Sequence, residues 1–83
     1  MRTIMGIQIG DRELDAIKVQ ELLTRHGCLI KTRLGLHETA LEGQCSSKGL
    51  IILEFISGKE EEIKQFEKEL NLVESITVRQ MIF

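Results

Sequence analysis

Residues 49–56 read Gly-Leu-Ile-Ile-Leu-Glu-Phe-Ile, apolar on both faces of a strand except at Glu54. A strand of that kind needs cover on both sides, so it belongs in the middle of a sheet. The chain has only 83 residues, and the remainder must supply the neighbouring strands and their cover. It does so by changing hydrophobic period along its length. Arg2–Ile9 alternates, with Thr3, Met5, Ile7 and Ile9 on one face and Ile4, Gly6 and Gln8 on the other, which predicts a strand. Arg12–His26 turns helical, with Ala16, Val19, Leu23 and His26 in one stripe and Leu22 beside it. Cys28–Glu38 predicts a second strand. Its core side would carry Cys28, Ile30, Leu34 and Leu36, and its other side Leu29, Lys31, Arg33, Gly35 and His37. The polar stretch Thr39–Lys48 predicts a loop. Ile63, Phe66 and Leu70 form the buried stripe of a second helix, and Ser75–Phe83 a last strand with Ile76, Val78 and Ile82 on one side.

The boundaries carry their own signals. Asp11 is a candidate N-cap for the first helix, and Gly27 suits a left-handed residue after its end. Ser57 and Glu60 have the spacing of a capping box. Glu60, Glu61 and Glu62 then fill the first turn, where the helix dipole favours negative charge. Asn71 is a candidate closing residue. The order β-α-β-β-α-β predicts a single domain over 1–83 with an α+β, ferredoxin-like sandwich: a four-stranded antiparallel sheet with two helices on one face. Matching the apolar faces of the central hairpin places Arg33 opposite Glu54, Gly35 opposite Ile52 and His37 opposite Leu50.

Composition narrows the function. Eleven basic and thirteen acidic residues give a net charge of −2, which argues against nucleic-acid binding by bulk charge. RNA-recognition modules of this topology stack bases on aromatics in the first and third strands, whereas Phe55, the aromatic in those strands, has core parity. No direct nucleic-acid contact is expected. Two cysteines, Cys28 and Cys45, are too few for a disulfide scaffold, and Cys28 has the parity of a small buried hydrophobe. Residues 1–9 are followed at once by Asp11, Arg12 and Glu13, so no secretory leader is expected. No apolar run approaches the roughly 20 residues that span a bilayer. The expectation is a cytoplasmic protein.

The sheet face opposite the helices carries the candidate sites. Ile4, Leu50, Ile52 and Ile56 would form an exposed apolar strip there, which predicts a homo-oligomer, dimer or tetramer, built through the sheet. Lys31, Arg33 and Arg79 would form an anion site on the same face, unless Arg33 serves as the cross-strand partner of Glu54. His37 and Cys45, eight residues apart, are candidate metal ligands. A site needs about four donors, so a neighbouring subunit would complete it. His26 suits the negative end of its own helix dipole. There is no phosphate-binding glycine loop, nucleophile elbow or Cys-X-X-Cys. No enzyme activity is expected, and no cofactor is indicated.

Leu14, Ile17, Leu22-Leu23 and Gly27-Cys28-Leu29-Ile30 resemble the first helix and second strand of ACT-type ligand-binding domains. Val19-Gln20-Glu21-Leu22-Leu23, Arg33-Leu34-Gly35-Leu36, Gly49-Leu50-Ile51-Ile52-Leu53 and Ile76-Thr77-Val78-Arg79 are together similar to a family of small regulators. That family is labelled iron-only hydrogenase system regulators, and it is akin in fold to the C-terminal domain of the nickel-responsive repressor. The resemblance implies a ferredoxin-like, oligomeric, non-enzymatic domain that binds a small ligand or a metal. It implies a ligand contact near Gly10, at the first strand-to-helix turn. It also sets His37 and Cys45 against two elements of the repressor's nickel site, with Gly35 standing where that site has a further histidine.

Overall fold

The computed structural model describes residues 1–10, 13–39 and 45–83, with the side chains of 37–39 and 45–48 outside that description. In chain order the elements are β1 (Thr3–Ile9), α1 (Glu13–Arg25), β2 (Ile30–Thr39), β3 (Cys45–Phe55), α2 (Glu60–Leu70) and β4 (Ile76–Ile82). A 3₁₀ turn at Gly27–Leu29 joins α1 to β2. The strands form one four-stranded sheet in the order β2-β3-β1-β4, every neighbour antiparallel. The connection from β1 through α1 passes over β3, and the connection from β3 through α2 passes over β1. This is the ferredoxin-like α+β arrangement. The doubly apolar segment is β3, and it lies inside the sheet. No helix among the described residues is long and apolar enough to cross a membrane.

Alternate residues of the two inner strands face the helices. Met5, Ile7 and Ile9 of β1 and Ile51, Leu53 and Phe55 of β3 are buried there. Val19, Leu22 and Leu23 of α1 and Ile63, Phe66 and Leu70 of α2 close the core from above. Their spacings are those of one helical face. Phe66 is fully buried and meets the edge of Phe55 with ring centroids 5.9 Å apart. Its other neighbour is the His26 ring, at 5.0 Å. A His26 ring nitrogen also pairs with the Glu69 carboxylate, and Arg25 lies 3.7 Å from the same group. His26 therefore ties the end of α1 to α2, a wider role than partnering its own helix dipole. Asn71 closes α2, its backbone N–H donating to the Glu67 carbonyl at 2.9 Å.

The main departure from the sequence expectation is in β2. Ile30 pairs with Phe55 and Thr32 with Glu54, so Lys31 is an extra residue against β3. Beyond this irregularity the partners are Arg33–Leu53, Leu34–Ile52, Gly35–Ile51, Leu36–Leu50 and His37–Gly49. The expected register is off by one residue, and one residue moves every side chain to the other face. Ile30 keeps its core side. Leu34 and Leu36 move to the open face, while Arg33 and Gly35 move to the helix side. The Arg33 guanidinium accordingly donates to Gln20 Oε1 of α1 at 2.5 Å and is not the partner of Glu54.

Other boundaries shift too. A second irregularity separates the His37–Gly49 pair from Thr39–Cys45, and β3 already begins at Cys45, within the stretch expected as loop. The 3₁₀ turn exposes Cys28 and buries Leu29, the reverse of their expected parities. Gly58, at φ 83°, is the positive-φ glycine of the described residues; Gly27 is not left-handed. Ser57 does not cap α2. The cap position is Lys59 without a side-chain bond, and Ser57 Oγ donates to the Met1 carbonyl at 3.5 Å. The proposed cap Asp11, the helix start at Arg12 and the tip of the central hairpin lie outside the described residues.

Candidate functional site

The sheet face turned away from the helices is built in cross-strand rows by the backbone register. Leu36, Leu50, Gln8 and Thr77 form one row; Leu34, Ile52, Gly6 and Arg79 the next; Thr32, Glu54, Ile4 and Met81 the third. Ile56 and Phe83 continue the alternation beyond it. The apolar members run as a diagonal band. One end holds Leu36, Leu50, Leu34 and Ile52, and the other holds Ile4, Met81, Ile56 and Phe83. Gln8, Thr77 and Arg79 occupy one polar corner, Thr32 and Glu54 the opposite one. Ile4, Leu50, Ile52 and Ile56 are half-buried, where the sequence places them. The strongly exposed members are Leu34 (53 %), Leu36 (48 %), Met81 (58 %) and Phe83 (72 %). Single exposed aliphatics are ordinary, but a contiguous band marks an interaction surface.

The charges at the band's margin are arranged around Glu54. Arg2 Nε donates to Glu54 Oε2 at 2.8 Å and Nη2 to Oε1 at 3.3 Å, a two-pronged pair. That hydrogen bond, with the charges of Arg2 and Lys31 behind it, holds the Glu54 carboxyl below its ordinary value and raises Arg2. The folded value lies below the unfolded one. The pair's contribution to stability is therefore present above about pH 4.5, the carboxyl's ordinary value, and is lost as pH falls through the lowered folded value. Arg2→Ala is expected to move the Glu54 titration upward toward the ordinary range, read by carboxyl-detected NMR. An unchanged midpoint would mean that Arg2 does not set the carboxyl's environment.

The anticipated anion site is dispersed. Arg79 is on the open face, with Nη1 donating to the Val78 carbonyl at 2.9 Å. Lys31 sits at the β2 irregularity near Glu54, and Arg33 is on the other face beside α1. Gly10 is at the end of β1, its N–H donating to the Ser75 carbonyl at 3.3 Å. A Cβ at Gly10 would come within 3.2 Å of that same oxygen, so the close approach of two backbones accounts for the glycine. His37 and Cys45 lie near each other in the hairpin register, opposite Gly49 and Thr39 respectively. Their side chains lie outside the described residues. Among the described residues there is no group of three or more metal-ligating side chains.

Sequence reasoning missed Leu34 and Leu36 as members of the band. It also missed Asp15, which is only 1 % exposed in the first turn of α1, where a carboxylate suits the helix dipole. Asp15 lies four residues before Val19, so helical spacing alone would have put it on the buried stripe.

No protein-family model matches the chain, and no curated protein matches it. Solved structures do. An uncharacterised protein of Thermotoga maritima is 21 % identical, with a TM-score of 0.71, over 96 % of this chain and 92 % of that one. A formyltetrahydrofolate deformylase from Pseudomonas putida KT2440 is 9 % identical, with a TM-score of 0.55, over the whole of this chain. This chain spans 29 % of the deformylase's length. A dimeric ferredoxin-like protein from an uncultured marine organism is 9 % identical, with a TM-score of 0.47, over 96 % and 89 % of the two chains. The first two likenesses establish a shared fold.

Proposed function

We propose that this chain is a non-enzymatic binding module that works as a homo-oligomer through the open face of its sheet, in a regulatory role driven by a small ligand. The observation that carries this reading is the diagonal apolar band from Leu36 and Leu50 to Met81 and Phe83. A second copy of the chain is the occupant that fits it. A two-fold axis laid along the band superposes the band on itself and brings each polar corner over the other, so the interface is self-complementary and closed. Apolar side chains then meet apolar ones, and Arg79 comes over the Thr32–Glu54 corner of the second copy. The regulatory role follows the resemblance of the chain to small ligand-responsive domains of this fold. A ligand would act by binding one assembled state better than another.

Sedimentation velocity across a concentration series tests the proposal. The wild-type chain is expected to sediment as a dimer or larger closed assembly. Ile52→Glu, which sets a charge in the middle of the band in both copies, is expected to sediment as a folded monomer. A wild-type monomer at all concentrations, or an assembly indifferent to Ile52→Glu, would contradict the reading.

A further inference from the structure

We propose that the assembled chain binds a small dianion, a phosphate group or a dicarboxylate, at each of two symmetry-related corners of the sheet-to-sheet interface. The inference rests on the two-fold pairing through the apolar band and names the class of ligand to which that pairing responds. Within one copy the cations of the open face are dispersed. Arg2 and Lys31 flank Glu54 in one polar corner, and Arg79 occupies the other with Gln8 and Thr77. Arg79 on β4 and Lys31 on β2 have β1 and β3 between them, three strand spacings or about 14 Å. Exposed charges at physiological salt act over roughly 8 Å, so one copy does not gather them into a site.

The two-fold axis along the band does. It lays Arg79 of the second copy over the Thr32–Glu54 corner of the first, beside Lys31 and Arg2. The charges gathered there do not balance. Glu54 is the one acidic side chain among the described open-face positions, and Arg2 already holds it in a two-pronged pair. The β2 irregularity sets Lys31 as well as Thr32 against Glu54, and the Lys31 charge adds to that of Arg2 in lowering the carboxyl. Arg79 arrives uncommitted. Its Nη1 donates to the carbonyl of the preceding residue, Val78, and no carboxylate pairs with it among the described residues. Gln8 and Thr77, which accompany it, bring no charge. Three cations therefore meet one carboxylate, an excess of two positive charges at each corner. Repulsion among them opposes the pairing, and a dianion seated between them cancels it. A guanidinium fork takes two oxygens of a phosphate or carboxylate at once, and the Thr32 hydroxyl is a further donor. Because the site is complete only with both copies, the dianion binds the assembled state better than the monomer, the condition under which a ligand controls assembly.

The test is sedimentation equilibrium of the full chain near neutral pH in sodium chloride, sodium phosphate and sodium succinate at matched ionic strength. Phosphate, succinate or both are expected to lower the dissociation constant of the assembly at least about tenfold relative to chloride, since two equivalent sites multiply the linkage. Whichever acts names the source of the dianion. Lys31→Gln and Arg79→Gln should each still assemble through the band, and each should hold the response below about threefold. An assembly that is lost in Ile52→Glu but ignores both dianions would overturn this proposal and leave self-association through the band standing. A chain that is monomeric in all three salts would overturn both. An undiminished response in either glutamine variant would place the anion elsewhere and overturn the site.

Discussion

Phe66→Ala is expected to destabilise the fold by about 3–5 kcal/mol, the range for removing a buried aromatic ring. For a chain of 83 residues the whole folding free energy is roughly 4–12 kcal/mol, so this one change removes a large share of it. The reason is position. Phe66 is fully buried in the middle of α2, touches Phe55 from the inner strand β3 edge-on, and meets the His26 ring at the end of α1. Removing the ring opens a cavity where both helices meet the sheet, and the surrounding elements cannot collapse into it without shifting. Urea unfolding followed by far-UV circular dichroism measures the loss. Phe66→Leu, which keeps most of the volume, should recover most of it. A loss below about 1 kcal/mol for Phe66→Ala would mean that the two helices do not share this core.

Leu34→Glu is expected to leave the folded monomer nearly untouched and to disable the assembly. Leu34 is 53 % exposed, and substitutions at such surface positions usually change stability by no more than about 0.5 kcal/mol. In a two-fold interface the same carboxylate enters twice, into the apolar end of the band beside Ile52 and Leu50. Dissociation should rise at least about 30-fold, the equivalent of about 2 kcal/mol. Stability is to be compared at concentrations where both proteins are monomeric, because assembly adds to apparent stability. The same substitution also tests the β2 irregularity. Had Leu34 faced the helices, as simple alternation predicts, a carboxylate there would cost several kcal/mol of folding free energy. A strongly destabilised monomer would restore that register, and an intact assembly would remove Leu34 from the interface.

The central part of this fold was legible because its signals are local and redundant. The apolar run from Leu50 to Ile56 could only be an inner strand, and the alternation from Thr3 to Ile9 fixed its neighbour on one side. The stripe Ile63, Phe66 and Leu70 located α2 because its spacing has no strand reading. The open-face positions Ile4, Leu50, Ile52 and Ile56 followed directly from those inner strands. β2 failed for a different reason. Cys28, Ile30, Leu34 and Leu36 share one parity, interrupted there by Thr32, and the extra residue at Lys31 belongs to pairing with β3, which the sequence of one strand does not encode. That single residue displaced Leu34, Leu36, Arg33 and Gly35 at once, and with them the anion cluster that Arg33 was expected to share with Lys31 and Arg79. Ser57 misled in a similar way. Its capping-box spacing to Glu60 is real, but Gly58 turns the chain so that the serine reaches the Met1 carbonyl and not the start of α2.

The most direct test of self-association through the open face is an isotope-filtered NMR experiment on a mixed sample. One batch of chain carries ¹³C-labelled Ile, Leu and Met methyl groups, and the other is unlabelled. Assembly through the diagonal band predicts intermolecular NOEs confined to the methyls of Ile4, Leu34, Leu36, Leu50, Ile52, Ile56 and Met81, with Phe83 ring protons among their partners. Intermolecular NOEs to Leu14 and Ile17 on the exposed side of α1, with silence from the band, would place the contact on the helices and contradict the account.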